Sequence, residues 1–162
     1  MSIITRAATQ ADEPVLWQML FEAAHLREEG YATVQAAKDQ PDLARYVAAW
    51  GRKGDIGVIA VDTENNQPVG AAWVRLFRGD DKAYGYIDEV TPELAIGVDP
   101  AYRGRRVGSA MLAYLLELTR IHYPAMSLNT RADNLPAVRL YERLGFQKIA
   151  GSEVVNRVGG AS

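Results

Sequence analysis

Arg103, Arg105 and Arg106 crowd into four positions of the stretch VDPAYRGRRVGSAMLAYLL, residues 98–116. The stretch reads as a strand end, a short turn and a long apolar helix. A helix beginning there leaves backbone N–H groups without intrahelical acceptors, and its dipole adds partial positive charge. Anions collect at such ends, phosphate above all. Gly104 and Gly108 let the backbone bend and come close to a ligand with no Cβ in the way. Flanking guanidiniums add charge-assisted hydrogen bonds to phosphate oxygens. The turn from Arg103 through Val107, Gly108 and Ser109 is thus predicted to cradle a pyrophosphate. It carries neither the G-x-x-x-x-G-K-[ST] nor the G-x-G-x-x-G pattern. Taken alone, it reads equally well as a solvated turn on a buried helix.

A second segment favours the first of these readings. NLPAVRLYERLGF, residues 134–146, fits N-x-x-A-x-x-L-Y-x-x-x-G-F at every fixed position. Together the two segments resemble the GNAT superfamily of acyl-CoA-dependent N-acetyltransferases, over about residues 93–148. In that family an R/Q-x-x-G-x-G/A turn binds the pyrophosphate of coenzyme A. Read from Arg103, the first glycine of the pattern is Arg106 here and the second is Gly108. A shifted register, Arg105-x-x-Gly108-x-Ala110, also fits, but DPAYRG upstream looks like the family's lead-in to the first.

The resemblance implies acetyl-CoA as acyl donor, no metal, and direct attack of a primary amine on the thioester. Three tasks follow: the ammonium loses a proton, the oxyanion is stabilised, and the departing thiolate is protonated. Amines near pKa 10 are mostly charged at neutral pH, so a base or a water relay is needed. Tyr141 stands where the family places the acid for the thiolate, and Asn134 where it places a coenzyme-contacting asparagine. The strand ELAIGV would run beside the pantetheine arm, with backbone N–H groups from Ile96, Gly97 and Val98 holding the carbonyl oxygen. Glu93 opens that strand where many members keep a glutamate acting through water; Asp88 and Glu89 are its rivals. Tyr84 and Tyr86 would touch the acceptor. A coenzyme-binding module without turnover is the alternative, and a homodimer is compatible with the resemblance.

These residues need elements to hold them. IITR (3–6) reads as a strand, and Asp12 as the N-cap of a helix with Glu13 and Pro14 in its first turn, stopped at Gly30. Pro41-Asp42 opens a second helix with Leu43, Tyr46, Val47 and Trp50 on one face and Gly51 at its end. Residues 56–78 read as a hairpin turning at TENNQP, 79–92 as a loop and 93–98 as a strand. A buried helix over 107–122, a strand over 126–130, a helix over 136–144 closed by Gly145, and a final hairpin complete the chain. Alternation puts Leu94, Ile96 and Val98 on one face of their strand and Glu93, Ala95 and Gly97 on the other. The order, approximately βααβββαβαββ, predicts an α/β fold: a mixed central sheet flanked by helices, GNAT-like, in one domain over 1–162 with a frayed tail at 159–162.

Bulk composition fits this picture. The chain has 162 residues and a net charge of −2, so broad attraction to nucleic acid or an anionic membrane is not expected. There is no cysteine, which removes disulfides, thiolate metal sites and a cysteine nucleophile. His25 and His122 stand in no metal-ligand spacing. No apolar leader follows Met1, and the expected location is cytoplasmic.

Overall fold

The computed structural model describes residues 2–77, 88–129, 135–148 and 155–159. In chain order the elements are β1 (Ile3–Ala7), α1 (Glu13–Ala23), α2 (Gln35–Lys38), α3 (Pro41–Ala44), β2 (Ile56–Asp62), β3 (Gln67–Arg75), β4 (Glu93–Val98), α4 (Val107–Thr119), β5 (Ala125–Asn129), α5 (Leu135–Arg143), β6 (Phe146–Lys148) and β7 (Val155–Gly159). Single 3-10 turns precede α1 and α4. The strands form one mixed sheet in the order β1-β2-β3-β4-β5-β7-β6. Among the described residues only the β4–β5 pairing is parallel; the others are antiparallel. The fold is α/β with helices on both faces, as the order of elements predicts.

Two cores follow from strand alternation. On one face α1 and the 26–50 segment pack Leu16, Phe21, Val47 and Trp50 against Ile59, Ala71 and Trp73. On the other, α4 and α5 pack Met111, Leu112, Leu115 and Tyr141 against Val58, Val74, Leu94 and Leu128. β4 belongs to both: Ala95 joins the first core, and Leu94, Ile96 and Val98 the second. α4 buries a stripe, Val107, Met111, Leu112, Leu115 and Thr119, and not most of its surface as its apolar composition suggests. The buried Thr119 hydroxyl donates to the Leu116 carbonyl at 3.3 Å, so its polarity is satisfied inside the helix.

Three predicted boundaries are corrected. α1 ends at Ala23, not Gly30: His25 takes the left-handed conformation at φ +56° and the Leu26 N–H bonds back to the Phe21 carbonyl at 3.2 Å. That bond closes the helix in the Schellman manner without a glycine. The second helix, expected over 41–51, is cut back to α3, Pro41–Ala44, with the separate short α2 before it, and residues 45–51 are turns. Tyr46 and Val47 bond three residues back, and Ala49 lies at φ +57°, which no α-helix tolerates. Gly159, expected in the tail, closes β7 opposite Ala125. Asp12 does precede α1, but its carboxylate turns back to the Thr9 N–H at 2.7 Å and to both Arg6 guanidinium nitrogens at 2.8 and 2.9 Å. Among the described residues, no helix is long and apolar enough to cross a membrane.

Candidate active site

The site begins where the sheet comes apart. Among the described residues β4 and β5 pair only at Glu93↔Ser127 and Leu94↔Leu128. On one edge of β4 the Ser127 N–H donates to the Pro92 carbonyl at 2.9 Å; on the other the Asp99 N–H donates to the Val69 carbonyl at 2.8 Å. Backbone alternation then turns even-numbered residues of β4 toward β5 and odd-numbered ones toward β3. Past Leu94 no pairing between β4 and the described residues of β5 continues, and Ile96 and Val98 turn their backbone groups to that side. Gly97 does not: its amide faces β3, opposite Ala71. The gap opens into a cavity of about 760 Å³ whose lining includes Glu93, Ile96, Val98, Gly108, Leu140 and Tyr141.

Gly97 answers a different need. A Cβ there would lie 2.1 Å from the Met19 carbonyl oxygen, because α1 crosses β4 at that point. Its missing side chain admits a helix, not a ligand. The register of β4 on β3 runs unbroken from Glu93 to Val98, and the β2–β3 pairing shifts register between Ala60 and Val61, where Val69 of β3 is skipped.

The arginine turn lies at the open end of the gap. Asp99 accepts from the Ala101 N–H at 2.8 Å and starts the 3-10 turn Pro100–Tyr102. Gly104 at φ +76° and Arg106 at φ +64° then reverse the chain into α4. Ala110 makes the first helical bond, to the Arg106 carbonyl at 3.1 Å. The N–H groups of Val107, Gly108 and Ser109 precede it and have no intrahelical acceptor. Arg106 provides no side-chain cap, and no acidic residue occupies the first turn. The glycine of the family pattern is thus explained: the backbone at position 106 is left-handed, and arginine adopts it at a cost of about 1 kcal/mol.

The three arginines do not act alike. The Arg105 guanidinium lies over the Tyr102 ring, 5.6 Å from its centroid. Tyr102 donates its hydroxyl proton to Asp62 at 2.6 Å, which holds the Asp62 carboxyl below its usual range and ties the turn to the β2–β3 hairpin. Arg106 is exposed. Arg103 lines the cavity but reaches across it, 3.3 Å from Glu28, 3.5 Å from Glu22 and 3.4 Å from the Val98 carbonyl. Glu22 is 2% exposed and also holds Arg27 at 2.6 Å. This buried glutamate escaped the sequence reading; it lies among the apolar positions of α1, and a charge there signals a partner.

Two candidate proton carriers share the cavity. Tyr141, on α5, is buried and meets Phe146 edge-on at 5.6 Å. Burial pushes its phenol up to about 12. Glu93 enters from the opposite face, 2% exposed, and its Oε2 accepts the hydroxyl proton of Tyr46. Asp88 and Glu89 are not among the residues lining the cavity; Asp88 accepts from the Val90 N–H at 3.0 Å. Asn134, Tyr84 and Tyr86 lie outside the described residues. Tyr46 was legible only as an apolar-face residue. A tyrosine on such a face needs a polar partner when buried, and that was the available signal.

Residues 17–146 match the Acetyltransferase (GNAT) family. N-alpha-acetyltransferase RimI of Mycobacterium tuberculosis is 42% identical over 66 residues, 41% of this chain and 40% of that protein. Mycothiol acetyltransferase of Brachybacterium faecium is 34% identical over 87 residues, 53% of this chain and 24% of that protein. The chain thus spans well under half the length of either relative. A GNAT superfamily phosphinothricin acetyltransferase from Sinorhizobium meliloti, solved in complex with AcCoA, superposes with a TM-score of 0.66 at 18% identity, covering 99% of this chain and 90% of that one.

Proposed function

Because this chain belongs to the Acetyltransferase (GNAT) family, we propose that it moves the acetyl group of acetyl-CoA to a primary amine, with both substrates bound at once. The observation that carries this reading is the gap between β4 and β5. A free strand edge, an uncapped helix N-terminus and a desolvated phenol meet at one cavity.

The residues present fit the donor. Val107, Gly108 and Ser109 offer N–H groups to the pyrophosphate, with Arg103, Arg105 and Arg106 supplying positive charge around it. Ile96 and Val98 offer the unpaired edge of β4 to the amides of the pantetheine arm and to the thioester oxygen, where a fixed N–H is worth most as negative charge develops. Acetyl-CoA supplies the thioester; the amine nitrogen bonds to its carbonyl carbon as the carbon–sulfur bond breaks. The proton leaving the amine goes through water to Glu93, and the thiolate takes one from Tyr141. In water a tyrosine phenol at about 10 is already a weaker acid than a thiol at about 8.5, and burial pushes Tyr141 up to about 12, so that transfer runs uphill. It becomes feasible in the cleft because the same desolvation raises the proton affinity of the sulfur.

Calorimetric titration with acetyl-CoA tests the donor half, alongside an Arg103→Ala/Arg105→Ala double variant. Micromolar affinity, about −8 kcal/mol, that weakens at least tenfold in the variant supports the cradle. No binding to the folded parent refutes it. A panel of a polyamine, free amino acids, phosphinothricin, lysine peptides and peptides with free N-termini then tests the acceptor half. Binding without turnover across the panel leaves the chain a coenzyme-binding module.

A further inference from the structure

The Tyr46–Glu93 contact is more than a buried hydrogen bond. We propose that Tyr46 is a positioning residue: its hydroxyl fixes the Glu93 carboxylate at the cavity floor and keeps it ionised to receive the acceptor's proton. This rests on the acetyl-transfer reading above for the use of Glu93, and on geometry alone for its tether.

The tether is built from β3. Trp73 and Arg75 project from β3 toward the α1 face, where Glu93 also projects, and Arg75 is the cross-strand register partner of Glu93. Trp73 donates its indole N–H to the Tyr46 carbonyl at 3.0 Å. Arg75 donates Nη1 to the Arg45 carbonyl at 3.0 Å and the Ala48 carbonyl at 2.7 Å. Three carbonyls in four residues are thus gripped by two side chains of one strand. The Tyr46 ring is held edge-on by Phe77, 5.5 Å between centroids. Backbone and ring are both immobilised, and the one free torsion, that of the hydroxyl, points the proton at Glu93.

Arg75 is 1% exposed, and its charge is spent on Asp55, bidentate at 3.0 and 2.8 Å. Asp55 is in turn bonded by the Gly51 and Arg52 N–H groups. Arg75, the cross-strand partner of Glu93, therefore already carries a counter-charge of its own. From β5 the register partner is Ser127, which does not titrate. The charged groups of the α1 side that share the cavity are Glu22, held by Arg27 and Arg103, and Glu29 and His25 of the turn after α1. Desolvation favours the neutral acid at Glu93, and a phenol donating to the carboxylate favours the charged form. A protonated Glu93 could not take a proton from an ammonium.

The test uses the whole chain with carboxyl-13C-labelled glutamate, its Glu93 signal assigned by loss in Glu93→Gln. In Tyr46→Phe, which keeps the ring and the Trp73 bond, the Glu93 titration midpoint should rise by about 1–2 pH units. An unchanged midpoint overturns the proposal. The reciprocal measurement covers a variant that fails to fold: in Glu93→Gln the Tyr46 phenol should titrate at lower pH, and no change there overturns the proposal equally. With acetyl-CoA and spermidine or an alanyl peptide as probe amines, the acid limb of kcat/KM should move up with the midpoint while acetyl-CoA affinity stays within threefold. A uniform rate loss with an unmoved limb would make Tyr46 merely structural and overturns its positioning role. If neither probe amine turns over although acetyl-CoA binds, the acetyl-transfer reading has failed for these amines, and the NMR midpoint alone decides the tether.

Discussion

At Tyr141, one ring carries two constraints. It packs edge-on against Phe146 and lines the cavity. Among the described residues no group hydrogen-bonds its hydroxyl, which leaves it for a ligand. Tyr141→Phe should therefore fold normally and lower kcat by about 100-fold, the low end for general acid catalysis, with KM for acetyl-CoA within threefold. Because the phenol holds its proton up to about 12, no alkaline loss of activity should trace to it below about pH 11; steady-state profiles check both points. Arg106 offers the opposite experiment. Its left-handed backbone disfavours any side chain, so Arg106→Gly should stabilise the fold by about 0.5–1 kcal/mol. A thermal melt should show a rise of a few degrees. Acetyl-CoA binding should weaken only slightly if the α4 N–H groups carry most of the phosphate contact.

Elements, in this protein, are set by contacts as much as by local signals. The turn into α4, the hairpin at residues 63–66 and the α5 helix were legible because glycine, proline and apolar spacing mark them locally. The C-terminus of α1 was not, since His25 stops it with a backbone that only glycine advertises. The 41–51 segment misled for a related reason: its apolar spacing is helical, yet Arg75 and Trp73 claim carbonyls that a helix would use. Nor could spacing pair Tyr46 with Glu93, 47 positions apart. Of the candidate site, the cradle residues and Tyr141 could be named from sequence, but which β4 amides face the gap required the register.

α1 itself supplies two predictions. Gly97→Ala would drive a methyl into the Met19 carbonyl, since backbone on both sides cannot yield. It should cost about 3 kcal/mol or more, seen in urea denaturation, and weaken acetyl-CoA binding as β4 shifts. At the other end, the Arg6 guanidinium bonded to Asp12 holds its carboxyl below the usual value. A depressed folded pKa means the contribution is complete above the unfolded value near 4 and is lost as pH falls through the folded one. Stability should thus decline below about pH 4, and Asp12→Asn should flatten that part of the curve.

For the whole molecule, the decisive feature is that, among the described residues, two register pairs join the four-strand half of the sheet to the three-strand half. The seam is a zipper closed at one end only. The proposed donor would act as the missing teeth: a small molecule completing a sheet that the polypeptide leaves unfinished. Cofactor occupancy then becomes a mechanical variable. Free protein should breathe along this line, with the Ile96 and Val98 amides exchanging hydrogen far faster than the Ala95 and Gly97 amides turned to β3. Saturating acetyl-CoA should slow the first pair at least tenfold and leave the second nearly unmoved. Ligand-driven stiffening would then run along alternate residues of a single strand, a pattern that global stabilisation cannot produce.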